Sequence, residues 1–286
     1  MPTALLFLSH KSTPSIHRAY NQLESAAGDA DVYWLHDVTN ASAHASLKVP
    51  NLWPFSIELL NSALQYRAGI PQVVPGYADA PIILFALRHP EYDTFWVIEY
   101  DVHFEGKWRR FFESTANESA DLLTTRVRTY RDEPDWDWWN SLHHPTKEIP
   151  LTERVASFNP IYRISRPALL HLYTSHLEGW TGHNEVLLPT LLIENGFRVA
   201  DLSGAGPYGA QISDPLYSLR TMRWRPPQWH TPEPNMLHHP VKPLRELLKY
   251  HYRQYHRKGR QCLGRIRAVL KRLLTRTRLS KAELFE

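Results

Sequence analysis

The chain has 286 residues and a net charge of +4, with 43% apolar and 12% aromatic residues. This length and composition are sufficient for a sizeable core and exclude a chain that is disordered throughout. A single cysteine, Cys262, excludes a disulfide framework and a cysteine-rich zinc module. No apolar run reaches the roughly 18 residues of a spanning helix. The first eight residues lack the charged region of a signal peptide, so we expect a protein of the cytosol or of a membrane surface facing it.

The net charge conceals an uneven distribution along the chain. Residues 242–281 contain 14 basic residues and one acid, Glu246, whereas residues 1–241 contain 19 basic and 26 acidic residues. We therefore divide the chain into an acidic body, residues 1–241, and a basic tail, residues 242–286. Concentrated positive charge predicts contact with an anionic membrane or nucleic acid. The alternative is a solvated and unusually basic final helix.

The first elements indicate a parallel α/β sheet. Residues 4–8 form a short apolar run typical of a buried strand, which ends shortly before His10. A Thr-Pro pair begins a helix over residues 13–27, with apolar residues at helical spacing. A second strand over residues 31–35 ends shortly before Asp37. The order strand–helix–strand is typical of α/β proteins.

The rest of the body continues this alternation. The patterns predict helices over residues 59–66, 80–87, 107–114, 166–178 and 186–194, and strands over residues 94–98, 120–128, 158–164 and 197–202. Residues 130–150 form a long irregular segment, of a kind that is usually functional, and residues 203–240 are loop-like with seven prolines. We expect an α/β fold with a mostly parallel central sheet flanked by helices, followed by a basic helical tail.

The strongest chemical signal follows the predicted strand over residues 94–98. Glu99 and Asp101 lie two residues apart where this strand ends, at the edge where open α/β sheets bind ligands. Residues two apart in a strand share a face, so both carboxylates can reach one cation. Such oxygen ligands suit Mg²⁺ or Mn²⁺, which can bridge diphosphate oxygens. The alternative is a pair of ordinary surface acids at a turn before Gly106.

A second constellation is His183-Asn184-Glu185, which lies at the start of a predicted helix. A carboxylate in this position can accept a proton from a nucleophile. The alternative is an acid that only complements the helix dipole.

A third constellation is His238-His239-Pro240-Val241-Lys242. A histidine here can complete an oxygen-rich metal site, and the lysine can neutralise a phosphate. The alternative is a surface histidine pair in a chain that contains 16 histidines.

Other signatures are incomplete or absent from the sequence. Gly204-x-Gly206-x-x-Gly209 has the spacing of a dinucleotide-binding loop, but no predicted helix follows it and no acid lies about 20 residues later. We interpret it as a flexible loop near a substrate. The sequence also lacks the phosphate-loop, zinc-helix and nucleophile-elbow motifs, and Cys262 lacks the surroundings of a catalytic thiol.

Together these residues resemble the GT-A-type glycosyltransferases. The similarity is greatest to a poorly characterised bacterial and fungal group with a Trp-x-x-Glu-Tyr-Asp-Val motif at a strand end. That motif is here Trp96-Val-Ile-Glu99-Tyr-Asp101-Val102. The tryptophan-rich segment, the helix start at His183 and the motif ending at Lys242 follow in the expected order. The resemblance covers about residues 3–242 at the level of motif order, and it implies a GT-A-like sheet.

The resemblance implies a metal and donor site. Glu99, Asp101 and His239 would hold Mn²⁺ or Mg²⁺, although Glu99 replaces the aspartate usual in the family. Some relatives bind the diphosphate through basic side chains without a metal. The donor would be a nucleotide sugar, with a UDP-sugar favoured, and it would contact a set of polar residues: His10, Asp37, Glu99, Asp101 and Lys242.

The resemblance also implies a base and an acceptor site. Glu185 would be the base of inverting transfer. The acceptor would contact His183 and the tryptophans Trp136, Trp138 and Trp139, because indole rings pack on the C–H faces of sugars. The alternative for the three tryptophans is a hydrophobic lid.

We therefore expect a glycosyltransferase that moves a sugar onto a saccharide or a lipid-linked glycan, in cell-surface polysaccharide synthesis. One alternative is a nucleotidyltransferase of similar fold, but the loop after the first strand lacks the glycines that such enzymes usually carry. The other alternative is a non-catalytic nucleic-acid-binding protein that uses the basic tail. The acidic body argues against nucleic acid as a partner.

The tail itself indicates a membrane surface. Residues 263–274 have apolar residues at spacings of three and four with basic residues between them, the pattern of a helix in a membrane interface. We predict that residues 256–286 hold the protein peripherally on the cytoplasmic face of an anionic membrane. The alternative is a helix that docks on its own catalytic domain.

Overall fold

The computed structural model describes residues 2–40, 49–229 and 231–258. The strands are β1 (Thr3–Ser9), β2 (Asp31–Asp37), β3 (Leu52–Phe55), β4 (Thr94–Glu99), β5 (His103–Phe104), β6 (Leu122–Thr129), β7 (Val155–Ser165), β8 (Val199–Asp201) and β9 (Leu237–His238). The helices are α1 (Pro14–Ala26), α2 (Ile57–Leu64), α3 (Ala80–Arg88), α4 (Trp108–Thr115), α5 (Arg166–Glu178), α6 (Asn184–Glu194) and α7 (Leu244–Lys258).

Seven strands form one central sheet in the order β3-β2-β1-β4-β7-β6-β8. Strands β1 to β4 are mutually parallel, and β6 is parallel to β8. Strand β7 runs antiparallel to both of its neighbours, β4 and β6. The sheet is therefore mostly parallel with one reversed strand, and the predicted α/β class is confirmed.

Both faces of the sheet are buried. Helices α2, α3, α5 and α6 pack with one face, where Leu6 and Leu8 point, and α1 and α4 pack with the other, where Leu5 and Phe7 point. A strand covered on both faces carries a continuous apolar run rather than alternating polarity. This explains why residues 4–8 are apolar without interruption.

Three helices, α1, α3 and α5, have a proline in their first turn, and two of them also have a side-chain N-cap. Thr13 accepts the backbone N–H of Ile16 at 3.4 Å, and Ser165 accepts that of Ala168 at 3.4 Å. The third start is different, because the Asp79 side chain caps nothing at α3. Its Oδ2 lies 2.9 Å from Nε2 of His176 on α5, and both side chains are buried. Asp79 thus links two helices, a contact that local sequence does not reveal.

A second, two-stranded sheet contains β5 and β9 in antiparallel pairing. Strand β9 lies within a segment predicted to be loop-like, residues 203–240, and it leads directly into residues 239–242. The predicted tail begins as a helix, since α7 covers residues 244–258. Cys262 and the amphipathic pattern of residues 263–274 lie outside the described residues. Among the helices of the described ranges, none combines the length and the apolar character that crossing a membrane requires.

Candidate functional site

Three parallel strands end at the same edge of the sheet. Leu8 on β1 pairs with Glu99 on β4, and Ser9 pairs with His36 on β2. The residues at these strand ends and just after them therefore lie at one edge, and they include three of the predicted donor residues: His10, Asp37 and Glu99.

The two-stranded β5–β9 sheet brings residues 239–242, which are distant in sequence, to this edge. His103 on β5 pairs with His238 on β9, and the backbone N–H of Val241 donates to the carbonyl of Asp101 at 2.8 Å. The Gln228 side chain donates to the carbonyl of His239 at 2.9 Å. These backbone contacts bring His239 next to the acidic motif.

Glu99, Asp101 and His239 form a group that can hold a metal ion. One ligand atom from each lies within 4.8 Å of the others. Nε2 of His239 is 3.5 Å from Oδ1 of Asp101 and 3.7 Å from Oε2 of Glu99. The other ring nitrogen, Nδ1, contacts the carbonyl of Arg223 at 3.1 Å, a contact of the kind that orients metal-binding histidines.

Asp101 supplies the observation that fits a cation. Its side chain is only 6% exposed, and its buried Oδ1 atom accepts no hydrogen bond in the described structure. Two carboxylates and one imidazole are ligands that Mn²⁺ and Mg²⁺ accept. The predicted ligand set is therefore assembled, with one buried oxygen facing the place where an ion would lie.

Lys242 contacts the other oxygen of Asp101. Its ammonium pairs with Oδ2 of Asp101 and donates to the hydroxyl of Tyr100 at 2.6 Å. Burial by itself would raise the pKa of Asp101, but His239 and Lys242 outweigh it and hold that pKa well below its usual range. For His239 burial acts in the opposite direction and would lower the pKa. The neighbouring carboxylates of Asp101 and Glu99 outweigh burial and raise the pKa of His239 to about 9.

Of the two remaining predicted donor residues, His10 lies against Tyr100, and Asp37 acts electrostatically on His10. The His10 ring meets the Tyr100 ring edge-on at 5.2 Å between centroids. Partial burial lowers the pKa of His10, and Lys11 and Lys242 lower it further, whereas Asp101 and Asp37 act in the opposite sense. His10 and Asp37 thus share one electrostatic environment with Asp101 and Lys242.

Lys11 also lies at this site, although no sequence pattern predicted it. Its ammonium is 3.2 Å from Oε1 of Glu246 on α7 and 6.0 Å from the ring centroid of Tyr100. The position directly after His10 is the only local signal that would have indicated it. Lys11 adds a second ammonium to the side of the site where Lys242 lies.

Glu185 lies in the first turn of α6. The side chain of His183 caps this helix and accepts the backbone N–H of Glu185 at 3.3 Å. Burial raises the pKa of Glu185 to about 7, and Arg128 opposes this rise. The charge of Glu99 also raises the pKa of Glu185, and that of His239 lowers it, so the predicted base lies within electrostatic reach of the metal-binding group.

The tryptophan-rich segment packs against the start of α6. The His183 ring lies 4.7 Å from that of Trp138 and 6.1 Å from that of Trp136. Burial lowers the pKa of His183 to about 4, so this ring is neutral at pH 7. The two tryptophans are half-buried, which leaves ring surface available.

Trp139 differs from its two neighbours. It is 1% exposed, and its indole N–H donates to the carbonyl of Glu133 at 2.7 Å. A side chain enclosed in this way supports the segment from within and has no surface for an acceptor. Direct contact with an acceptor stays a prediction for Trp136, Trp138 and His183.

Comparisons with known proteins give structural neighbours only. No family model and no curated protein matches the sequence. A glycosyltransferase involved in the glycosylation of the major capsid of PBCV-1 has 10% identity and a TM-score of 0.31, over 62% of this chain and 68% of that one. Mouse xyloside xylosyltransferase 1 has 12% identity and a TM-score of 0.34, over 68% and 82%. A putative glucose-1-phosphate thymidylyltransferase from Bacillus anthracis has 10% identity and a TM-score of 0.36, over 68% and 84%.

The raised pKa of Glu185 predicts a change in stability with pH. The folded protein holds a proton here up to about pH 7, whereas an ordinary unfolded glutamate releases it near pH 4.5. The contribution of Glu185 to the free energy of unfolding is therefore lowest above pH 7. Glu185→Gln cannot ionise, so it should gain stability relative to the parent as pH rises from 5 to 8. Urea unfolding at both pH values measures the change.

The matched control is Glu194→Gln, which removes an exposed acid from the other end of the same helix. It should show the same difference from the parent at both pH values. A Glu185→Gln variant that behaves like this control would contradict a half-buried carboxyl that keeps its proton up to about pH 7.

Proposed function

We propose that the protein is a glycosyltransferase that uses a nucleotide sugar. Three parts carry this proposal: a buried acid–histidine group and two ammonium groups that meet at one sheet edge, and a carboxyl with a near-neutral pKa on which the charges of Glu99 and His239 act. Transfer of a glycosyl group requires that the departing diphosphate be neutralised. It also requires a base for the acceptor hydroxyl. The three parts match these requirements.

The donor half of the proposal concerns the diphosphate. Glu99, Asp101 and His239 would hold Mn²⁺ or Mg²⁺, and a bound ion supplies positive charge to the diphosphate oxygens. Lys242 and Lys11 lie on the Tyr100 side of the group, where their charges would meet the same phosphates. Asp37 and His10 would contact the nucleoside. We favour a UDP-sugar as donor.

The acceptor half concerns Glu185. A base works best when its pKa lies close to the working pH, and burial brings this carboxyl to about 7. Trp136 and Trp138 present indole surface beside the same helix start. Glu185 would take the proton of an acceptor hydroxyl while the donor is attacked from the opposite side, which inverts the anomeric configuration.

Donor binding is tested by protection against thermal unfolding. A panel of nucleotide sugars is measured with Mn²⁺ and with EDTA, and a UDP-sugar with Mn²⁺ should raise Tm. At 100 times Kd the gain is about 2.7 kcal/mol. Asp101→Asn, which removes the charge and keeps the shape, should lose this protection because the ion loses its most buried ligand.

Asp29→Asn is the matched control, since Asp29 is an exposed acid on the loop before β2. It should keep full protection. The proposal fails if no nucleotide sugar protects the parent, or if Asp101→Asn is protected equally well. A nucleotidyltransferase would instead release pyrophosphate from a nucleoside triphosphate, which the same samples can report.

Loss of the base gives a separate prediction. Glu185→Gln should lower kcat by about 10²–10⁴-fold, the range typical of general-base loss, and leave donor protection intact. In the parent, kcat should rise with pH through about 7, because only the ionised carboxylate accepts a proton. Steady-state rates from pH 5.5 to 8.5 measure both effects. A variant that keeps the parental kcat would leave Glu185 as a helix-start acid only.

We further propose a peripheral membrane location and a saccharide or lipid-linked glycan acceptor, in cell-surface polysaccharide synthesis. The support is the 14 basic residues within residues 242–281, since each can gain about 1 kcal/mol at an anionic leaflet. Deletion of residues 256–286 should abolish co-sedimentation with anionic liposomes at low salt and preserve donor hydrolysis. Deletion of residues 282–286 removes no basic residue and is the control. A full-length protein that fails to co-sediment would favour a tail docked on the body.

A further inference from the structure

A cleft of about 860 Å³ lies beside the end of β6. Its walls are the last residues of that strand, the turn after it and the glycine-containing loop of residues 203–219. Its polar lining includes Arg126, Arg128, Asp132, Glu133, Asp201 and Tyr208. The volume is in the range of sites that hold small organic molecules. None of these residues belongs to the metal-binding group.

The backbone at one wall of the cleft is strained. The pairing of β6 with β7 is irregular between Thr125 and Arg128, and Arg126 has φ of +51°. A non-glycine residue adopts this left-handed conformation only where its surroundings hold it. Here the Arg126 N–H donates to the Tyr217 hydroxyl at 2.6 Å, and that hydroxyl donates to Asp201 at 2.7 Å. Such bulges re-aim side chains next to functional sites.

The charges in the cleft are already paired with each other. Oε2 of Glu133 is 2.5 Å from Nε of Arg128 and 3.7 Å from a guanidinium nitrogen of Arg126. Asp132 accepts the backbone N–H and hydroxyl of Thr129, both within 2.8 Å. Asp201 accepts the N–H of Val127 at 2.6 Å.

This pairing selects the kind of ligand. An anion would have to displace Glu133 from the arginines and approach two further acids, and a cation would meet the two guanidinium groups. An uncharged ligand with many hydroxyl groups avoids both the loss of these ion pairs and charge repulsion, since each hydroxyl can donate to a carboxylate and accept from a guanidinium. The lining therefore favours a neutral polyol over a charged one.

The cleft is connected to the proposed base through Arg128, which lines it. The Arg128 guanidinium lies 4.5 Å from the ring centroid of Trp136, and Trp136 contacts His183, the cap of the helix that carries Glu185. Arg128 also opposes the burial-induced rise in the pKa of Glu185. Strands β4 and β6 both run antiparallel to β7, so the cleft at the end of β6 lies at the same edge of the sheet as the acids at the end of β4.

We infer that this cleft binds the acceptor, that the acceptor is an uncharged hydroxyl-rich saccharide, and that Arg126 and Asp132 are two of its binding residues. The inference rests on the proposed glycosyltransferase function. It adds an acceptor class and a binding surface that the tryptophan-rich segment alone does not provide.

The test uses Arg126→Gly in the full-length protein. Glycine adopts the left-handed conformation without cost and keeps the backbone N–H for Tyr217, so Tm should stay equal or rise by about 2 °C. The probes are methyl glycosides of glucose, galactose, mannose and N-acetylglucosamine, with glucuronic acid and glucose 6-phosphate as charged counterparts. Binding is measured by saturation-transfer NMR.

At least one neutral glycoside should bind the parent, and charged sugars should bind it more weakly. Arg126→Gly and Asp132→Ala should each weaken that binding about tenfold, as expected for loss of a hydrogen bond to a charged group. Arg131→Ala, an exposed arginine of the same turn that does not line the cleft, should bind as the parent does.

Three results would overturn the inference: no neutral glycoside binds at millimolar concentration, the charged sugars bind more tightly, or Arg126→Gly binds unchanged. UDP-sugar protection is measured on the same samples and should be the same in Arg126→Gly as in the parent. If the parent shows no such protection, the proposed function fails. If protection is present and glycoside binding fails, only the acceptor assignment is wrong.

Discussion

The burial of one carboxylate, that of Asp101, is the constraint on which the rest of the site depends. A charge removed from water is costly unless it is paired and hydrogen-bonded. Strand β4 delivers this carboxylate to the sheet edge, and the β5–β9 sheet returns the segment that supplies His239 and Lys242. One oxygen pairs with the lysine, and the other is left facing a histidine and a second acid.

Two parts of the sheet edge differ in the charge they would accept. The edge formed by β1, β2 and β4 gathers two ammonium groups around Tyr100 beside the metal-binding group, and with an ion bound there it would receive a strongly anionic group. The end of β6 presents two arginines that pair with Glu133 and lie beside Asp132 and Asp201, so it would receive a neutral group. Glu185 is subject to the charges of both sides, with Arg128 on one and Glu99 on the other. A transfer reaction between a charged donor and an uncharged acceptor matches this arrangement.

The parts of this architecture that depend on local pattern were predictable from the sequence. Apolar runs located the strands, Thr13 and Ser165 located two helix starts, and the strand end at residues 99–101 located the acids. Periodicity carries no information on strand direction, so the reversal of β7 was not predictable. The Asp79–His176 pair and the left-handed Arg126 depend on contacts between residues far apart in sequence. The enclosure of Trp139 also arises only once the fold forms.

The most direct measurement is anomalous diffraction from crystals grown with Mn²⁺ and UDP. The account predicts a manganese peak between Oδ1 of Asp101, Nε2 of His239 and the carboxylate of Glu99. It also predicts that the diphosphate lies against that ion on the side of Lys242. Manganese elsewhere in the structure, or UDP seated in the cleft beside Arg126, would contradict it.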